Sequence, residues 1–236
     1  MSNAPQQAVT RKRKKPPLRR QGAKRARTAG EFMVTQRIAH QIARQEARKI
    51  VSKSLEKEYY DVILGPTNVA SGAGDIRALS SGITTGDTAQ TRDGNDIKLV
   101  SLFVRVAVYQ PTAVSSAAQQ GMFRLIIFKW NRPTTPTLGN ILAGGGSAMA
   151  PLGVDSHAFI EVLYDEMFPY MTVETTVSHG TPYFRKIFLD LKGKARWQTG
   201  GGTNPDHGHI YILAQSQEAS APLPEYEFYS RLRYYR

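Results

Sequence analysis

The segment KLVSLFVRVAVY sets the dominant pattern of the chain. Within Ile97 to Tyr109, the residues Leu99, Ser101, Phe103 and Arg105 fall on one side of an extended backbone, and Val100, Leu102, Val104, Val106 and Val108 on the other. Successive side chains of a strand point to opposite faces, so the second set is the predicted core face. FRLIIFKW, within Met122 to Trp130, is apolar on both sides, as a strand inside a sandwich is. Similar runs at His157 to Asp165, Tyr170 to Val177, Tyr183 to Leu191, Ala195 to Thr199, His209 to Gln215 and Tyr226 to Tyr235 bring the predicted strands to eight. Gly, Pro and Asn punctuate these runs, and TTPTLGNILAGGG reads as a turn, a short helix begun near Thr137 and a flexible loop. The spacing predicts an all-β fold, an eight-stranded antiparallel jelly-roll sandwich, over residues 61–236.

Upstream the period changes. From Glu31 to Glu58 there is no Gly or Pro, and the segment is rich in helix formers, which predicts an amphipathic α-helix over residues 31–60. Thr28 and Glu31 have capping-box spacing, and Gly65-Pro66 stops any continuation. Ile38, Ala39, Ile42, Ala43, Ala47, Ile50 and Ser54 form a narrow stripe, while Arg37, Arg44 and Arg48 share another face. A stripe so thin and Ala-rich cannot bury itself alone; it packs on the body or bundles with helices of other copies.

Charge changes the picture most at the N-terminus. Residues 1–30 hold ten bases (Arg11, Lys12, Arg13, Lys14, Lys15, Arg19, Arg20, Lys24, Arg25 and Arg27) and no acid, which leaves 21 bases against 19 acids for the rest. A near-neutral body with a cationic arm calls for a polyanionic partner. The arm is Pro, Gln, Lys and Arg with almost no large apolar side chain, so nothing offsets the entropy of ordering it and it is expected to be disordered when free. Its two basic clusters suit nucleic-acid binding and recognition by a nuclear import receptor, uses that are compatible. The candidate nucleic-acid-binding residues are these ten together with Arg37, Arg44 and Arg48.

Candidate chemistry subtracts more than it adds. The chain has no cysteine, hence no disulfide framework, thiolate metal site or cysteine nucleophile. No signal-peptide pattern opens the chain, and no uncharged apolar run approaches the roughly 18 residues that span a bilayer, so no membrane partner is expected. The glycine runs Gly144 to Gly146 and Gly200 to Gly202 are not followed by the lysine of a phosphate-binding loop. His207 and His209 lack a third ligand, and Asp87, Asp93 and Asp96 lack the spacing of a calcium loop. Neither an enzyme nor a bound cofactor or metal is expected.

The stretch DIRALSSGITTGDTAQTRDGNDIKLVSLFVRVAV followed by FRLIIFKWNRPTTPTLGNIL resembles the coat proteins of satellite tobacco necrosis virus and its relatives among circular single-stranded DNA viruses. The matching features are a turn with Gly86, Asp87, Arg92 and Gly94, an arginine-bearing strand with Phe123, Arg124, Ile126 and Phe128, and the connection Thr134 to Thr137. HIYILAQS and YSRLRYYR resemble the last two strands of that family. The resemblance implies a single jelly-roll subunit in an icosahedral shell of about sixty copies, a virion protein whose arm and helix point inward onto the genome. The arm, longer than in the satellite virus, resembles that of the DNA viruses, which implies single-stranded DNA in preference to RNA and passage through the host nucleus. A ribosomal or chromatin factor would also carry a basic tail, but would not explain a near-neutral body of eight strands.

Overall fold

The computed structural model describes residues 38, 40–47, 57–113, 120–144, 146–153, 158–171, 173–174, 182–199, 205–219, 221 and 223–236. The chain divides into two units, Met1–Ser54 and Leu55–Arg236. In the first unit a helix, α1, is seen over residues 38 and 40–47. The predicted arm, residues 1–30, lies outside the described residues.

The second unit contains β1 (Lys57–Asn68), β2 (Asp75–Ala78), β3 (Asp96–Tyr109), β4 (Thr112–Ala113), β5 (Gln120–Trp130), α2 (Leu138–Ile141), β6 (Ile160–Met171), β7 (Val173–Glu174), β8 (Pro182–Asp190), β9 (Lys194–Trp197), β10 (Pro205–His207), β11 (His209–Ser216) and β12 (Glu225–Tyr235). The larger sheet runs β1-β12-β3-β9-β10, with β8 also paired to β3; the smaller runs β2-β11-β5-β6; β4 and β7 form a separate parallel pair. Eight of these strands nest: β1 pairs β12, β2 pairs β11, β3 pairs β8, and β5 pairs β6, all antiparallel. First with last, second with seventh, third with sixth and fourth with fifth is the pairing of a hairpin rolled over two sheets, the predicted jelly-roll.

Membership of the eight differs from expectation: β1 and β2 join without having been expected as strands, β9, expected among the eight at Ala195 to Thr199, pairs outside the nest with β3 and β10, and two expected strands merge into one. β1 opens at Lys57, so residues 57–60 are strand and not the end of the predicted helix. Its Gly65-Pro66, expected as a stop, sits at a register shift between Leu64 and Thr67, and β1 is an edge strand, where a missing N–H is tolerated. The segments expected as two strands, His157 to Asp165 and Tyr170 to Val177, are largely one strand, β6, again an edge, in which Pro169 lies opposite Met122.

Within β3 the alternation breaks once. Arg233 pairs with Ser101 but Tyr234 with Leu99, a bulge that skips Val100. An extra residue reverses which side chains face inward. Ile97 and Leu99 therefore join Leu102, Val104, Val106 and Val108 in the core, and Val100, expected there, is left half-buried.

Two apolar layers result. Between the sheets lie Leu102, Val104 and Val106 of β3 against Leu125 and Ile127 of β5 and Ile210 and Ile212 of β11. On the far side of the smaller sheet, Ile126, Phe128 and Tyr211 pack with Leu138, Ile141 and Leu142 of the β5–β6 connection. The Thr137 N–H donates to Asn140 Oδ1 (3.0 Å) at the start of α2, and Trp130 Nε1 donates to the Thr134 carbonyl (2.5 Å), tying the connection down. Covered on both sides, β11 is buried throughout, and β5 nearly so.

Candidate nucleic-acid and assembly surfaces

Of the thirteen candidate cations, Arg44 alone lies among the described residues; Arg11, Lys12, Arg13, Lys14, Lys15, Arg19, Arg20, Lys24, Arg25, Arg27, Arg37 and Arg48 lie outside them. Arg44 is exposed on α1. Ile38 and Ile42, one turn apart, are 50% and 54% exposed. That stripe is apolar and Arg44, two positions from Ile42, points away from it, so the two faces can serve different contacts.

The arginines of the motifs bind the chain itself. Arg124 is buried in β5, where Nε and Nη2 donate to both carboxylate oxygens of Asp165 (2.7 and 2.6 Å) and Nη1 donates to the carbonyls of Ala148 (3.3 Å) and Ala150 (2.5 Å). This fork pins the β5–β6 connection over the smaller sheet. Arg92 is fully buried; its Nε donates to the Ile83 carbonyl (3.2 Å), Nη1 to that of Gly94, and the guanidinium lies 4.4 Å from the Trp197 ring centre. Burial pulls its pKa below the usual arginine value. Both motifs therefore hold loops on the sandwich.

His209, half of the histidine pair, is equally internal. Its Nε2 donates to the Arg196 carbonyl (2.6 Å), which leaves Nδ1 to accept from Ser80 Oγ (3.2 Å), and the ring stands edge-on to Trp197 at 4.6 Å. Burial lowers its pKa from 6.5 to about 4, with Arg92 and His207 acting in the same direction and Asp206 and the Arg196 carbonyl opposing. The unfolded chain thus binds a proton that the folded chain refuses between these values, and stability is complete above pH 6.5 and falls as the pH drops toward 4. Going from pH 7 to pH 5 should lower the unfolding free energy of dissociated subunits by about 2 kcal/mol through this residue. In urea titrations His209→Gln should flatten that dependence; an unchanged pH slope would discount the burial of the imidazole.

Among the described residues, nothing covers one face of the larger sheet. Across it run Ile63, Tyr229, Arg105 and Lys186 in one cross-strand row, Asp61, Arg231, Phe103 and Phe188 in the next, and Tyr59, Arg233, Ser101 and Asp190 in a third. Phe184 and Phe188 are 68% and 63% exposed. Arg231 is bidentate to Asp61 (2.8 and 2.7 Å), holds that carboxyl below its usual range, and lies 4.8 Å from the Tyr59 ring and 5.8 Å from that of Tyr229. Arg105 lies 5.3 Å from the Phe103 ring. A groove of about 590 Å³ passes between these side chains. None of its residues had been singled out as binding; the available signal was Phe184, Lys186 and Phe188 alternating with Tyr183, Ile187 and Leu189, a strand apolar on its wet face as well as its dry one.

A family model described as satellite tobacco necrosis virus coat protein matches residues 33–186. No curated protein is matched at a significant level. The family match ends inside β8, so β11 and β12, the nesting partners of β2 and β1, lie beyond it.

Proposed function

The chain belongs to the satellite tobacco necrosis virus coat protein family, a structural non-enzyme of the virion that assembles with its own copies around a genome, and from that premise we propose that it packages single-stranded nucleic acid, DNA in preference to RNA, through its basic arm. The observation that carries the reading is the charge asymmetry: ten bases and no acid in residues 1–30, against a nearly neutral remainder. Arg37, Arg44 and Arg48 extend the arm's cationic surface. In a closed shell of about sixty copies, the arms supply about 600 positive charges, enough to neutralise on the order of 600 phosphates of a genome of a kilobase or two. Membership of the family sets the ribosomal or chromatin alternative aside. The two clusters, Arg11 to Lys15 and Arg19 to Arg27, also serve as an import signal recognised by a nuclear import receptor, which a DNA genome would require.

One deletion tests the arm. Removing residues 1–30 should leave particles whose absorbance ratio at 260 and 280 nm falls to that of protein alone, while a reporter fused to those thirty residues should accumulate in the nucleus. Particles that keep their nucleic acid would overturn packaging by the arm. A reporter left in the cytoplasm would remove the support for DNA.

A further inference from the structure

We propose that the open face of the larger sheet is a second contact for the packaged strand, one that stacks its bases on aromatic rings while arginines and a lysine hold the flanking phosphates. The inference rests on the packaging reading above and adds to it a surface the arm does not contain.

Three observations converge on this face. First, no described residue covers it, whereas the smaller sheet is buried on both sides by the opposing sheet and by the β5–β6 connection. Second, it carries cations outside any ion pair of the described residues, next to the carboxylates of Asp190 and Glu227, the latter accepting from Tyr109 Oη (2.6 Å). Arg105 lies directly opposite Lys186 in the β3–β8 ladder, and neither these two nor Arg233 has a carboxylate partner among the described residues. Like charges directly opposite one another destabilise a sheet, and a phosphate between them removes the repulsion. Third, rings sit beside the cations, Phe188 exposed and Phe103 and Tyr229 half-buried. Phe103 faces Phe188 in the row next to Arg105 and Lys186, and Tyr229 neighbours Arg105 on its other side. Rows repeat about every 7 Å along the strands and neighbours lie about 5 Å apart across them, so a base laid on a ring has a cation within reach of its phosphate. Aromatic platforms in a cationic groove are how single strands are held without regard to sequence.

A second copy of the chain fits this face poorly. The core of a protein interface is depleted of charge, whereas Arg105, Lys186, Arg231 and Arg233 all lie on this face. A single strand meets both the rings and the cations.

The test uses full-length dissociated subunits and two probes of equal length and charge, oligothymidine and an abasic oligonucleotide. Stacking predicts that the intact chain prefers oligothymidine, and that Phe188→Ala, at an exposed position where folding is insensitive, cuts that preference about tenfold and leaves the salt slope unchanged. Arg105→Gln with Lys186→Gln should lower the slope of log affinity against log salt by about 1.4, two single-strand phosphate contacts. A steep slope with no preference between the probes, or a preference untouched by Phe188→Ala, overturns the face and spares the arm. Failure of both probes to bind the intact chain overturns the packaging reading itself. Binding unchanged in both variants with particle assembly lost would assign the face to contacts between copies and overturn the inference.

Discussion

Raising the salt from about 50 to 200 mM should weaken the binding of a single strand to dissociated subunits by about four orders of magnitude. Ten arm cations, each releasing about 0.7 counterion when it meets a phosphate of a single strand, give a slope of about −7 in log affinity against log salt. The arm contains no aromatic residue, and only small, Pro, Gln and aliphatic residues separate its charges. It therefore has neither a stacking platform nor a rigid fork to set against base edges, and the slope should be alike for unrelated sequences. Removing residues 1–30 should flatten it far more than neutralising Arg37, Arg44 and Arg48. A slope shallower than about −3 for the intact chain, or a hundredfold preference among sequences, about 2.7 kcal/mol, would move recognition from the arm to direct readout by the folded body.

The parts of the fold legible in the sequence are those where one physical rule acts alone. β3 and β12 have one face in the core and alternate; β5 is covered on both faces and carries apolar residues on both, with Arg124 the buried exception. Legibility fails where two rules compete. Lys57 to Tyr60 continue a run of good helix formers, yet β1 forms because Tyr60, Val62 and Leu64 pack on the core and the strand completes the ladder of β12. Helix propensity of a few tenths of a kcal/mol per residue is small beside that burial, at roughly 1.5 to 3 kcal/mol for a large apolar side chain. Val100 was misplaced because a bulge leaves no mark in alternation until the partner strand is known. In the β5–β6 connection the short helix expected near Thr137 forms as α2, and what its Gly and Pro hide is the buried face of Leu138, Ile141 and Leu142.

The candidate site divides along similar lines. Charge density in the arm is a property of composition and is visible without coordinates. The open face is not, because Arg105, Lys186 and Arg233 are 128 positions apart at their extremes and meet only through the β3–β8 and β3–β12 pairings. The converse holds for Arg92 and Arg124. As motif arginines in a basic protein they invite a role on the genome, and their geometry assigns them to the sandwich.

Arg124 is where that distinction has its largest measurable consequence. Replacing it with Met should lower the stability of dissociated subunits by about 3 kcal/mol, because the change removes a bidentate partner from Asp165 and strips the donor from the Ala148 and Ala150 carbonyls. Asp165 keeps 30% of its side chain exposed, so water recovers part of what the carboxylate loses, and the cost falls at the lower end of that for breaking a buried pair. Asp165→Leu in the same chain should restore much of the loss, since an apolar pair leaves no charge without a partner. The double-mutant cycle should then show coupling of about 1 to 3 kcal/mol. Binding of single strands, compared in urea-free buffer where all variants remain folded, should keep the wild-type salt slope, because no nitrogen of Arg124 faces outward to a phosphate. A variant of unchanged stability whose salt slope falls by about 0.7 would place this arginine on the nucleic acid instead. Loss of stability without loss of slope separates the cations that build the shell from those that fill it.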